Sequence, residues 1–461
     1  METNCRKFGF KDKFSYMLGD VGNDLMFFLS SMFLLKFYTD VMGVSAALVG
    51  TMMMVSRFVD AFTDVAMGQI VDRAPTKAKG KFTPWLRTIS GPVAVASFLI
   101  YASWFQDMPM TFKVFWMFFT YLLWGSVCYT AINIPYGSMA SAITADPKER
   151  ADLSTWRSIG AQVSVTVVGV ILPMLLYYTN ADGQKVLSGS RVTIAAAVLS
   201  VLAVICYMVC YHMTIERVKL PSSNKKFSLG HLLKSLATNK ALIGIVIASL
   251  LLLLGQLSFQ NMQTYIYPNY FGNTAALSMT NLVQTIVTLV CATFVVALSA
   301  KYGRKSLAIL SAAFQAVCFI VLFFIKTDNV WLFTGIYLVS TIGAAVFSLI
   351  TWAMITDVID DTEVVTGERS DGTIYSIYSF ARKLGQGCSS GLAGAMLSVI
   401  GYSAATAYEP KVLDGIYDIT CLVPAGSYIL LTLALIFLYP LGKKRVEANA
   451  AELAKRREAA Q

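Results

Sequence analysis

Arg57, Asp60 and Asp64 lie within eight residues of one another inside a long apolar stretch, residues 46–71. That stretch is long enough to cross a bilayer as one helix. A charge near the middle of a membrane helix costs roughly 2.5–3.5 kcal/mol on insertion scales, so three together are expensive. They are tolerable only if they face a protein interior or an aqueous cavity, pair with one another, or bind something charged. Asp60 and Asp64 are four apart, which puts both carboxylates on one helical face, with Arg57 one turn below Asp60. Two carboxylates on one face of a membrane helix point to a cation or proton site. The alternative is a structural Arg–Asp–Asp network that holds helices together.

Polar residues in other apolar segments widen the candidate set. Asp20 and Asp24 share a face of the first segment. Tyr129, Thr130 and Asn133 place hydroxyls and an amide about a turn apart, beside the helix-bending Pro135. Arg157 opens the fifth segment, and Gln256, Gln260, Asn261 and Gln263 sit in the seventh. Arg382 and Lys383 lie deep inside residues 374–400, ahead of Gly385 and Gly387. Carboxylate, amide and guanidinium groups suit sugar hydroxyls, and an aromatic face such as Trp352 suits a sugar ring. A few convergent polar groups among apolar ones is the usual composition of a small-molecule site. Thr130 and the glutamines equally fit interhelical hydrogen bonding, and Trp352 fits packing.

The elements that must position these residues are membrane helices. The 461-residue chain is 56% hydrophobic and 14% charged, with a mean hydropathy of +0.61, outside the range of ordinary soluble domains. Twelve apolar runs are expected to span, centred near Phe28, Met54, Val95, Leu122, Val168, Ala203, Leu251, Val290, Phe319, Val339, Gly391 and Leu430. The first carries Asp20, Asp24 and Lys36, which a removable signal segment would not.

The net charge of +10 would in a soluble protein raise nucleic acid as a partner. Here the basic residues collect in alternate loops: before span one, between spans two and three (Lys77, Lys79, Lys81), between spans six and seven, after span eight (Arg304, Lys305), and in the tail. That distribution predicts both termini on the cytoplasmic side and no nucleic-acid partner. One predicted cytoplasmic loop, Asp357 to Asp371, is acidic instead. The eight cysteines have no paired loop spacing, so no disulfide framework is expected. No Ser–His–Asp or zinc-type pattern appears, and neither an enzyme nor a cofactor is expected.

The spans divide six and six, and basic loops follow the second helix of each half. The expected organisation is a six-helix bundle over residues 1–213, a cytoplasmic linker at 214–240, a second bundle at 241–442 and a cytoplasmic tail at 443–461. Duplicated units of this kind characterise secondary transporters.

The chain resembles the glycoside–pentoside–hexuronide:cation symporters of the major facilitator superfamily, the family of the melibiose permease. The motifs that carry the resemblance run from Ser15 to Pro440. They include Phe37-Tyr-Thr-Asp40, Arg57-x-x-Asp60-x-x-x-Asp64, Gly80-Lys-Phe-x-Pro84-Trp85, Asn133-Ile-Pro-Tyr136, Asp357-x-x-Asp360, Thr366-Gly-x-Arg369 and Arg382-Lys383. The resemblance implies an all-α fold of two six-helix bundles working by alternating access in a bacterial inner membrane, functional as a monomer. It implies that Asp60 and Asp64 couple the cation, Na+ or H+, with Thr63 and Thr130 completing that site. Asp24 and Arg157 match sugar-hydroxyl ligands, Ser379 matches a smaller polar sugar contact, and Lys383 matches a lysine placed between the halves near the cation and sugar sites; Lys383, Tyr129, Asn133, Trp352 and Arg382 join the expected substrate residues.

Two departures bear on the substrate. Asn133 and Gly137 stand where the melibiose permease has an acidic residue and a tryptophan. Loss of a carboxylate at position 133 and the extra cation at Arg382 favour an anionic glycoside of hexuronide type over a neutral glycoside or pentoside. Arg382 points a helical step of about 100° from Lys383, so it also has the option of facing away to pair with Asp357. Opposed charges on the acidic loop (Asp357, Asp360, Glu363) and the basic loop between spans two and three are expected to latch the cytoplasmic side. With Arg57 and Arg369 they form the expected gating group. A lipid or amphiphile carrier of the same fold is the reading from another class; a channel fits poorly, for want of a ring of like groups.

Overall fold

A computed structural model of the chain describes residues 6–77, 79–218, 239–367 and 371–459. Most of the expected linker, and Arg369, lie outside the described residues. The helices in chain order are α1 Phe10–Asp40, α2 Ala46–Arg73, α3 Thr83–Ile100, α4 Met110–Ile143, α5 Pro147–Leu176 and α6 Gly189–Met213. There follow α7 Lys240–Tyr270, α8 Thr274–Tyr302, α9 Arg304–Ile325, α10 Val330–Thr366, α11 Asp371–Val399 and α12 Pro410–Phe437. A tail helix, α13, covers Lys443–Ala459. Between α5 and α6 the strands β1 (Tyr177–Thr179) and β2 (Lys185–Leu187) pair antiparallel.

All twelve expected spans are helical, and among the described residues ten helices are long and apolar enough to cross a membrane. The two outside that ten are α3 and α11. The first is only 18 residues long and carries Arg87; the second is interrupted by Arg382 and Lys383 and by small polar residues. Local chemistry sets several of the helix starts. Asn239, Asn273 and Asn329 each accept a backbone N–H from the first turn of the following helix, and Asp146 does so ahead of Pro147. A side-chain oxygen there satisfies an amide that has no carbonyl partner within the helix.

The chain divides into two compact units, Met1–Phe227 with Gly401–Ala407, and Ser228–Ile400 with Tyr408–Gln461. Within the first, α1 packs on α5 and α6, α3 on α4 and α6, and α2 on α4. Within the second, α7 packs on α11 and α12, α9 on α10 and α12, and α8 on α10. Every pairing recurs six helices later, the structural form of the internal echo in the sequence. Burial follows the same logic. Along α6, Leu199, Ala203, Cys206 and Cys210 face the protein, whereas Val198, Val201 and Ile205 are more than half exposed. An apolar outer face of this kind is what lipid requires of a membrane helix. Cys128, Cys206, Cys210, Cys291, Cys318, Cys388 and Cys421 are free thiols.

The Gly80-Lys-Phe motif has a clear structural role. Glu216, just after α6, accepts the backbone N–H groups of Lys81, Phe82 and Thr83 and the Thr83 hydroxyl. A carboxylate at a helix N-terminus answers both its unpaired amides and its dipole. Gly80 has φ +122, and a Cβ there would lie 2.3 Å from the Glu216 carboxyl carbon. Only glycine tolerates both conditions.

Candidate functional site

The cation candidates are built in the first unit, from α2 and α4. Asp60 is buried. Its Oδ2 accepts from Arg57 Nη1 at 3.1 Å, and its Oδ1 accepts from the Ser126 hydroxyl at 2.6 Å. Asp64, one turn on, accepts from the Thr130 hydroxyl at 3.0 Å. Thr63 points differently: its hydroxyl donates to the Asp60 backbone carbonyl at 3.2 Å. The Arg57 guanidinium stands 5.5 Å from the centre of the Phe27 ring, which stacks on Tyr129, itself tilted against Trp124. Arg57, expected among the gating residues, is thus a direct partner of Asp60, one of the two candidate cation carboxylates.

Ser126 was missed in the sequence reading. It stands four residues before Thr130, as Asp60 stands four before Asp64, and that matched spacing was the available signal. Ser126 lies within a wide π-helical turn over Leu123–Tyr129, and Thr130 directly follows it. Among the described residues no group of three or more His, Cys, Asp or Glu side chains could hold a metal. An ion here would depend on two carboxylates and on hydroxyls, a weak set suited to a transported ion rather than a resident one.

The expected sugar residues of the first unit are arranged around α1. Asp20 is buried and accepts from Arg157 Nε at 2.8 Å. Arg157 also lies over the Tyr136 ring, and its side chain is 44% exposed, so it keeps access to a ligand. Asp24, the expected ligand one turn from Asp20, is half-buried and makes no hydrogen bond or ion pair among the described residues. The structure therefore separates the two α1 carboxylates: one orients Arg157, the other is open. Arg157 does not open its span, because α5 begins at Pro147, about three turns earlier. Tyr129 and Asn133 are half-buried on α4.

In the second unit, Arg382 lies over the Trp352 ring, 5.5 Å from its centre, and Trp352 meets Tyr378 edge-on. Its option of pairing with Asp357 is not taken: Asp357 is bonded to Arg304, from the Gly303–Arg304 turn at the start of α9. Ser379 is exposed on α11, with Lys383 one turn along and half-buried. The expected acidic loop is also corrected. Asp357, Asp360 and Glu363 all lie on α10, which continues to Thr366 and ends at Gly367 with φ +77. Acidic residues at the solvent end of a long helix read as a loop when only hydropathy is followed. Asp361, between them, is buried and receives both arms of Arg445 and the Asn449 amide from the tail helix. On the basic side, Lys81 donates to the Asp72 carbonyl and Lys79 lies over the Tyr211 ring.

Helices paired alike in two units, with charged side chains bonded inside an apolar bundle, define a multi-pass membrane transporter of the major facilitator class. Residues 15–443 match the MFS/sugar transport protein family, and the chain belongs to it. It is similar to the glucuronide carrier protein homolog of Escherichia coli K12, 30% identical over 97% of this chain and 96% of that one. It is also similar to the isoprimeverose transporter of Lactiplantibacillus pentosus, 30% identical over 92% of this chain and 88% of that one. The fold is shared with a solved bacterial homologue of the human lysosomal transporter Spinster, with a TM-score of 0.69, 11% identity and coverage of 93% and 95%. The protein is a sugar-class transporter of a small molecule, not an enzyme.

Proposed function

We propose that the protein is a cation-coupled symporter that imports an anionic glycoside of hexuronide type across the bacterial inner membrane, with both termini cytoplasmic. The observation that carries the coupling is the Arg57–Asp60–Asp64 set. Asp60 and Asp64 stand one turn apart on α2 and accept from the α4 hydroxyls of Ser126 and Thr130, so carboxylate and hydroxyl oxygens gather where a monovalent cation would bind. Burying carboxylate charge in a membrane is costly, so ion binding and closure of the bundle favour each other.

The anionic substrate is argued from the cations in the two substrate sets. Arg157 is half exposed and already oriented by Asp20; Arg382 and Lys383 are adjacent on α11. A planar guanidinium fork suits a carboxylate or sulfonate in a way an ammonium does not, and an acidic sugar buried without a cation would be prohibitive. Similarity to a glucuronide carrier homolog supports this reading. Similarity to an isoprimeverose transporter supports the neutral alternative, so the test must separate the two. Proteoliposomes are offered a matched glucuronide and glucoside under an imposed Na+ or pH gradient. The expected outcome is gradient-driven accumulation with the glucuronide preferred and that preference reduced in Arg382→Gln. Preference for the glucoside, unaffected by Arg382→Gln, would refute acidic-sugar selectivity and leave symport standing.

A further inference from the structure

We propose that Ser126 is a positioning residue of the cation site, holding Asp60 when no ion is bound and turning an oxygen lone pair to the ion when one arrives. The inference rests on the reading of Asp60 and Asp64 as the coupling carboxylates.

Serine in an apolar helix ordinarily donates to the carbonyl four residues back. Ser56, Ser249 and Ser427 all do so here, to Met52, Ile245 and Val423. Ser126 does not. Its hydroxyl is buried and donates across to Asp60 Oδ1 at 2.6 Å, shorter than the Thr130 contact to Asp64 at 3.0 Å and the Arg57 contact to Asp60 at 3.1 Å. The backbone explains the departure. Over Leu123–Tyr129 the helix widens, and the Thr130 N–H reaches back five residues to the Gly125 carbonyl. Such turns are frequent at functional sites. Gly125 brings the α4 backbone close to α2: a Cβ there would lie 3.8 Å from Asp60 Oδ1.

The outcome is a ladder, with Ser126 on Asp60 and Thr130 on Asp64, each rung one turn from the other. Thr63 cannot replace Ser126, since its proton goes to the Asp60 backbone carbonyl. A hydroxyl has one proton and two lone pairs. A cation between the carboxylates repels the proton and attracts the lone pair, so rotation about one Cβ–Oγ bond converts the anchor into a ligand without backbone movement. Arg57 holds the other oxygen of Asp60 and keeps the carboxylate aimed during the exchange.

The test uses the full chain in proteoliposomes and the matched glucuronide and glucoside as probes. Uptake is titrated with external NaCl at fixed pH, and separately with external pH in the absence of Na+. For the ion that drives the unaltered protein, Ser126→Ala should raise the half-saturating concentration about tenfold, the effect of losing one hydrogen bond to a charged group. Ser126→Thr should restore it. Ser56→Ala, which removes a hydroxyl bonded only within its own turn and to Met52, serves as the control and should leave it in place. An unmoved half-saturation in Ser126→Ala, with or without a lower maximal rate, would overturn the proposal. If the unaltered protein responds to neither ion, the symport reading itself fails, a result distinct from the first.

Discussion

Asp60 accepts from Arg57 and Ser126, and Asp64 accepts from Thr130, and those contacts have consequences for substitution. Asparagine at either position keeps the shape and removes the charge that balances the ion. Asp60→Asn and Asp64→Asn should each abolish uphill accumulation while preserving some downhill exchange, as read by comparing gradient-driven uptake with counterflow. Normal accumulation in the double variant would end the assignment. Asp60→Asn should also lower stability. It leaves the Arg57 guanidinium without its carboxylate, and breaking one side of a buried pair costs about 3–5 kcal/mol. A lower thermal unfolding midpoint for Asp60→Asn than for the unaltered chain is the expected result.

At the scale of elements, the connection between α11 and α12 does something that neither flanking helix does. Gly401–Ala407 belongs to the first unit. Its Tyr402 hydroxyl accepts from Lys36 at 2.7 Å and donates to Asp40 at 2.8 Å, while Lys36 and Asp40 pair at 2.8 Å along the end of α1. Lys36 is 1% exposed, and with Asp40 and Tyr402 it makes a set of three mutually bonded groups. Lys36→Met would leave Asp40 short of its charge partner, and Tyr402→Phe would remove two hydrogen bonds. The first should cost about 3–5 kcal/mol and the second about 1–3 kcal/mol. The order of the two unfolding midpoints in lipid nanodiscs checks this. A Tyr402→Phe protein as stable as the unaltered chain would show that the contact contributes nothing.

Across the whole molecule, the same helix pairings recur in the two units, and each unit has its own charged core: Asp20–Arg157 and Arg57–Asp60 in the first, Arg304–Asp357 and Arg445–Asp361 in the second. These pairs lie within units and act to hold each as a body. The expected cytoplasmic latch would draw on Asp360 and Glu363, near the end of α10. Exposed pairs are worth only about 0.2–1 kcal/mol each, so several must act together. Neutralising Asp360 and Glu363 together should shift the balance toward the inward-open form, read as altered accessibility of thiols introduced on the cytoplasmic side. No shift would remove the latch.

Hydropathy by itself was enough to locate the helices, because a chain in lipid must satisfy its backbone hydrogen bonds within each span. The i,i+4 spacing of Asp60 and Asp64 was likewise legible, since side-chain direction along one helix follows from its period. What no single helix contains is its partner across the bundle. Ser126 on Asp60, Arg157 on Asp20 rather than Asp24, Arg304 rather than Arg382 on Asp357, and Tyr402 on Lys36 join residues separated by 53 to 366 positions. Which donor meets which carboxylate depends on helix rotation and depth, on the π-helical turn that re-aims α4, and on the continuation of α10 past its apolar end. Those are packing outcomes, decided among helices by shape and by the cost of an unpaired charge, and only the tertiary structure holds them.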